Sequence, residues 1–231
     1  MKFTRDEIRR SMLLYAVTDQ MWLKEGETLA EVCETVLENG ATFLQIREKD
    51  LPEAAFAQEA EKLKALCARH RVPYVVNDSV EIAMEIDADG VHVGQSDIRG
   101  RDIRAIIGPD KILGISAGTV EEALAAEAAG ADYIGVGAVF ATSTKKNARC
   151  LSREQLLEIS NAVTIPVVAI GGINAANLME LSGSGVDGVA VVSAIFGAED
   201  PGAAAARLRA LAETMVKTRM SLRGAQRRGN P

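Results

Sequence analysis

The chain is poor in aromatic side chains, at 4% of its 231 residues, and it has no paired cysteines and no long apolar run. Each absence excludes something. Cys33, Cys67 and Cys150 are odd in number and widely spaced, with no CxxC pair, which excludes a disulfide framework and a cysteine-based zinc site and leaves reduced thiols as the expectation. Cys150, beside Arg149, reads as an inert bystander rather than a reactive thiol. No apolar stretch approaches the ~20 residues that span a bilayer. The opening "MKFTRDEIRR" has no apolar signal core, so a cytoplasmic protein is expected. The formal charge is −6, and the last stretch "MVKTRMSLRGAQRRGNP" carries basic residues without an acid, so the rest of the chain is more acidic than the total. An acidic body argues against a nucleic-acid-binding surface. The basic segment 214–231 reads as a frayed tail beyond a single domain spanning 1–213.

What is present in abundance is alanine, valine, isoleucine and glycine, side chains that suit parallel strands buried on both faces. Short apolar runs recur: "LLYAVTD" (Leu13–Asp19), "FLQIREK" (Phe43–Lys49), "PYVVND" (Pro73–Asp78) and "GVHVG" (Gly90–Gly94). "KILGISA" (Lys111–Ala117), "YIGVGA" (Tyr133–Ala138), "PVVAIGG" (Pro166–Gly172) and "GVAVVSA" (Gly188–Ala194) complete the set. Helical segments separate them. Thr28 with Glu31, Thr119 with Glu122, and Ser152 with Gln155 have the capping-box spacing, and Gly40, Gly130 and Gly185 stand where helices should end. Eight strand–helix alternations without a linker predict a single α/β domain, a (β/α)₈ TIM barrel. An open doubly wound sheet is the alternative, but "VTDQMWLKEG" lacks the glycine-rich turn that such a sheet carries after its first strand.

Strand alternation sorts the side chains. Gln45, Arg47 and Lys49 share one face of their strand and oppose Leu44 and Ile46; His92 opposes Val91 and Val93; Ser116 opposes Ile115; Gly135 and Gly137 oppose Ile134 and Val136. The aliphatics pack on the helices, so the polar and small residues face the interior. An interior of that kind is expected not to be a packed core, because buried charge without a partner is very costly. It suits an anionic ligand entering at the C-terminal ends of the strands. An internal ion pair of the cations with Glu48 or Asp50 is the alternative. Asp78 and Asp97 follow adjacent strands, an arrangement that suits a hard divalent ion shared with substrate phosphates. Asp97 can instead be a helix N-cap. "IGGIN" and "VVSAIF" end the last two strands, where barrels often bind phosphate through backbone N–H groups. The loop "ATSTKK" lies between the two anion sites, with Lys145 the better placed of its lysines.

Together "QIREKD", "VNDSVEIA", "ADGVHVGQSD", "ATSTKK", "AIGGI" and "VVSAI", in this order from about Leu14 to Pro201, resemble the thiamine-phosphate synthase family. The resemblance implies a (β/α)₈ enzyme that joins 4-amino-5-hydroxymethyl-2-methylpyrimidine diphosphate to a thiazole phosphate and releases pyrophosphate. It implies that Gln45, Ile46, Arg47, Glu48 and Lys49, with Asn77, Ser116 and Lys145, hold the pyrimidine diphosphate. His92 is expected to line the pyrimidine pocket, or else to be a satisfied core histidine. Thr142, Ser143, Thr144, Gly172, Val192 and Ser193 are expected on the thiazole phosphate. Asp78 and Asp97 are expected to hold Mg²⁺. Arg47, Lys49, Lys145 and Ser116 are expected to act in catalysis. The implied partners are the two small phosphorylated substrates, with no nucleic acid and no membrane; a homo-oligomer stays open. A thiazole tautomerase of the same superfamily would not need the carboxylates together with the cations. A precursor-binding barrel without activity could lose Asp78, Asp97 or Lys145, and a sugar-phosphate epimerase would need an acid/base pair in place of "QIREK".

Overall fold

A computed structural model describes residues 3–142 and 150–228, with the side chains of the final helix through Lys217. The eight apolar runs are strands: β1 (Leu14–Val17), β2 (Phe43–Ile46), β3 (Tyr74–Asn77), β4 (Gly90–Val93), β5 (Ile112–Ala117), β6 (Tyr133–Gly137), β7 (Val167–Ile170) and β8 (Gly188–Val191). They close in sequence order into a parallel barrel, with β1 paired to β2 (Tyr15 beside Phe43) and to β8 (Leu14 beside Val189). The helices are α1 (Arg5–Ser11), α2 (Leu29–Glu38), α3 (Glu53–His70), α4 (Val80–Glu85), α5 (Ile103–Ile107), α6 (Val120–Ala128), α7 (Arg153–Ala162), α8 (Ser193–Phe196) and α9 (Pro201–Arg228). The fold is therefore the expected (β/α)₈ barrel.

Local sequence explains where the helices start. Thr28 and Ser152 form full capping boxes with Glu31 and Gln155. At α6 only half of the motif forms: Thr119 accepts from the Glu122 N–H, but the Glu122 carboxylate takes the Gly118 N–H at 2.6 Å. Three further features shape the fold. The leader "MKFTRDEIRR" forms α1, started by a capping box between Thr4 and Glu7, and it lays Ile8 and Met12 across the base of the barrel. The connection after β7 holds only a short 3₁₀ turn, Leu178–Leu181, because Asn174 and Asn177 divert the backbone into side-chain-bonded turns. The last helix, α9, runs from Pro201 to Arg228 and carries buried Met215, in a stretch composed largely of good helix formers.

The largest core lies between barrel and helices and holds the outward-facing Leu44, Ile46, Val76, Val91, Ile115, Ile134 and Val136. A second core lies inside the barrel. Tyr15, Phe43, Val75, Ile112, Tyr133, Val168 and Ala190 fill its lower half above Ile8 and Met12. The Tyr15 and Phe43 rings pack at a tilt with centroids 4.4 Å apart, and Tyr133 meets Phe43 edge-on at 5.6 Å. The expectation of an unpacked interior thus fails for the lower half, where the strands contribute aromatic and branched residues. Gly114 is required here, since a Cβ would lie 2.2 Å from the Tyr133 ring and 2.5 Å from His92 Nδ1. Above this plug the barrel opens.

Candidate active site

The opening is a cavity of about 870 Å³ at the C-terminal ends of the strands. On the β2 side it is lined by Gln45, Arg47 and Lys49; from β3 to β5 by Asn77, Asp78, His92, Asp97 and Ser116; on the far side by Thr142, Gly172, Val192 and Ser193. Strand alternation and the barrel's closure therefore bring these sequence-predicted residues to one mouth. Ser143, Thr144 and Lys145 lie outside the described residues.

Two residues of the "QIREK" stretch turn away. Ile46 is fully buried in the outer core, as its place between Gln45 and Arg47 on an alternating strand requires. Glu48 is buried behind the mouth, where its carboxylate accepts from Thr18 Oγ1 at 2.5 Å and from the Gln20 N–H at 2.8 Å. Burial, the largest influence, raises its pKa above the ordinary glutamate value against these bonds. Thr18 Oγ1 in turn accepts the Arg47 N–H at 3.0 Å. Glu48 thereby ties the loop after β1 to the end of β2. Neither side chain lines the cavity. The Arg47 guanidinium is paired with Asp19, at 3.9 Å, rather than with Glu48 or Asp50.

The two aspartates share the opposite rim. Asp78 sits at φ +62°, a left-handed conformation that aspartate tolerates better than most residues, and its N–H bonds the His92 carbonyl at 2.8 Å. Loss of solvent, and then the nearby Asp97 carboxylate, raise the Asp78 pKa, while Asn77 and Lys49 pull it down. Asp97 is not a helix N-cap: Asp102 caps α5, and the Asp97 carboxylate folds back to the Gly94 N–H at 2.8 Å. Two carboxylates that repel one another across a polar rim are suited to a divalent ion completed by phosphate oxygens. Among the described residues no three His, Cys, Asp or Glu side chains cluster as a metal site.

The far wall is built differently. Gly171 and Gly172 have φ +102° and +67°, and a Cβ at Gly172 would lie 2.3 Å from the Ala141 carbonyl, so only glycine allows the two loops to meet. Val17, Ile170 and Val192 give this side an apolar surface. The first N–H groups of α8 lack intrahelical acceptors, as at any helix start.

The floor shows what the sequence reading missed. Gln45 Nε2 donates to Tyr15 Oη at 2.7 Å, the Tyr15 and Tyr133 hydroxyls are 2.8 Å apart, and Tyr133 Oη lies 3.0 Å from His92 Nδ1. His92 Nε2 is 3.0 Å from Ser116 Oγ. Burial lowers the His92 pKa to about 4, so the ring is neutral at pH 7. Tyr133 precedes Gly135 and Gly137 on the interior face of its strand, so the alternation that selected the glycines carried the signal for it.

Residues 14–195 match the model of a family described as thiamine monophosphate synthase. The chain is similar to the thiamine-phosphate synthase of Clostridium tetani, at 48% identity over 187 residues, covering 81% of this chain and 89% of that protein. It is similar to the thiamine-phosphate synthase of Ruminiclostridium cellulolyticum, at 49% over 195 residues, covering 84% and 92%. Among solved structures, thiamine phosphate pyrophosphorylase from Pyrococcus furiosus is similar at 40% identity with a TM-score of 0.82, over 90% of this chain and 99% of that one.

Proposed function

The chain belongs to the thiamine monophosphate synthase family and is an enzyme of thiamine biosynthesis, and from that premise we propose that its cavity joins 4-amino-5-hydroxymethyl-2-methylpyrimidine diphosphate to 4-methyl-5-(2-phosphoethyl)thiazole, or its carboxylated form. The diphosphate lies against Arg47 and Lys49, with Lys145, which is outside the described residues, adding charge from the loop after β6. The thiazole phosphate lies toward Gly172, Val192 and Ser193. The observation that carries this reading is the convergence of a cationic strand end, two carboxylates and a glycine-lined wall on one mouth of one cavity.

Asp78 and Asp97 would hold Mg²⁺, which when bound supplies positive charge that neutralises diphosphate. The chemistry is dissociative. The C–O bond between the pyrimidine methylene and the diphosphate breaks, with its electron pair leaving on the diphosphate. The thiazole nitrogen then supplies the pair for the new C–N bond. Arg47 and Lys49 stabilise the charge that builds on the leaving group. No general base is needed, and His92, neutral with both ring nitrogens engaged, is not offered as one. The protein's main contribution is to hold two anions with their reacting ends together.

The test is direct. Purified protein with both precursors and Mg²⁺ should yield thiamine phosphate and pyrophosphate by mass spectrometry, and excess EDTA should abolish the yield. No product from the complete mixture would refute the activity; full turnover in EDTA would remove the metal from it.

A further inference from the structure

The hydrogen bonds on the cavity floor form one continuous chain, and its direction follows from which end of the Gln45 amide faces Tyr15. An amide nitrogen can only donate, so the Tyr15 oxygen must accept from Gln45 Nε2. The Tyr15 proton then has the Tyr133 oxygen, at 2.8 Å, as its acceptor. Tyr15 is 1% exposed, and a buried hydroxyl left without an acceptor is costly, so the donation runs from Tyr15 to Tyr133. Tyr133, having accepted, spends its own proton on His92 Nδ1. The imidazole must therefore carry its proton on Nε2, which donates to Ser116 Oγ. The Ser116 carbonyl is already held by Gln95 Nε2 at 2.6 Å, and the Ser116 hydroxyl proton is left to the cavity that the residue lines. If the Gln45 amide were turned over, every bond in the chain would reverse.

We infer that Gln45, Tyr15 and Tyr133 set the proton order of the site: they lock His92 in the Nε2–H form and make Ser116 a hydrogen-bond donor toward the substrate. The group opposite Ser116 must then be an acceptor, a pyrimidine ring nitrogen or a phosphate oxygen, and a ligand presenting an N–H there is rejected. Tyr15 and Tyr133 act through His92 and are positioning residues. The identity of the substrate rests on the function proposed above; the proton order does not.

The chain has two histidines, His70 and His92, so a His70→Gln protein leaves a single imidazole to observe. In the ¹⁵N-labelled full-length protein at neutral pH, long-range ¹H–¹⁵N correlation should show the proton on Nε2 and an acceptor at Nδ1. A proton on Nδ1, or on both nitrogens, overturns the inference. Tyr133→Phe keeps the ring that packs against Gly114 and removes the donor to Nδ1. In that variant the single-tautomer signal should give way to a mixture. KM for the pyrimidine diphosphate should rise roughly five- to tenfold, with KM for the thiazole phosphate unchanged. A lower Tm with the tautomer unaltered would mean that Tyr133 only packs, and would overturn the inference. Tyr15→Phe, which frees the Tyr133 oxygen to accept from His92, should also populate the Nδ1–H form, and serves if Tyr133→Phe does not fold. A parent protein with the Nε2–H tautomer but no turnover would refute the proposed function and leave the proton order standing.

Discussion

The lower and upper halves of the barrel interior are made by the same strands and differ by one or two steps of two residues along them. Phe43 on β2 is followed on the same face by Gln45, Val75 on β3 by Asn77, and Ile112 on β5 by Gly114 and Ser116. One half is an aromatic and aliphatic plug, closed below by Ile8 and Met12. The other is a polar cavity. The division teaches that a period-two pattern assigns a face but not a depth. Depth follows from position along the strand, and in this barrel it separates stability from chemistry.

The sharpest way to break that division is to truncate one residue in each half. Arg47→Ala should lower kcat by at least ~100-fold, as expected when a charge that meets a leaving group is removed, and change Tm little, since its partner Asp19 is 3.9 Å away. Phe43→Ala should cost about 3–5 kcal/mol of stability, visible as a lower denaturant midpoint, while the fraction that remains folded keeps its KM values. Equal effects on stability from both variants would show that the interior is one cooperative unit with no division of labour.

Much of this organisation was legible from sequence, and the places where it was not have physical reasons. Gln45, Arg47, His92 and Ser116 line the cavity because alternation is rigid once one face is buried. The same rule excludes Ile46 and Glu48, which a contiguous motif includes only because their neighbours act. Glu48 shows what such a residue can do instead, since its carboxylate clamps Thr18 and Gln20 behind Arg47. The start of α1 is written in the Thr4–Glu7 capping box, which lies before the first strand and outside the strand–helix repeat that marks the barrel. The Tyr15–Tyr133 contact joins residues 118 positions apart, and local pattern carries no information on such a pair.

Acid sharpens the comparison at the boundary between the halves, where His92 touches Tyr133 below and Ser116 above. Its folded pKa of about 4 lies below the ordinary histidine value, so the unfolded chain binds the proton more tightly. Stability is then retained above pH ~6.5 and lost as pH falls through 4, by roughly 3 kcal/mol or slightly more at full protonation. Denaturant titrations at pH 7 and pH 4.5 should show this loss in the parent and a smaller one in His92→Gln. An identical acid loss in the two proteins would mean that His92 is not buried in neutral form.

Asp78 works in the opposite sense and should give the smallest effect. Its pKa is raised by loss of solvent and by Asp97, so the folded chain holds that proton more tightly than the unfolded chain. Stability is therefore gained as pH falls through the folded value and is missing above it, which makes the charged Asp78 a cost at neutral pH. Asp78→Asn removes the charge and keeps a residue that tolerates the positive φ. Without substrate or divalent ion, the variant should melt higher by roughly 1–2 °C at pH 7.5, with the gain shrinking in acid. In the lower half of the barrel, removing a polar atom from Tyr15 or Tyr133 leaves partners unsatisfied and should lower Tm, so substitutions in the two halves move stability in opposite directions. A fall in Tm for Asp78→Asn would show that this carboxylate is held by partners that stabilise it, and that the rim is not strained by paired negative charge.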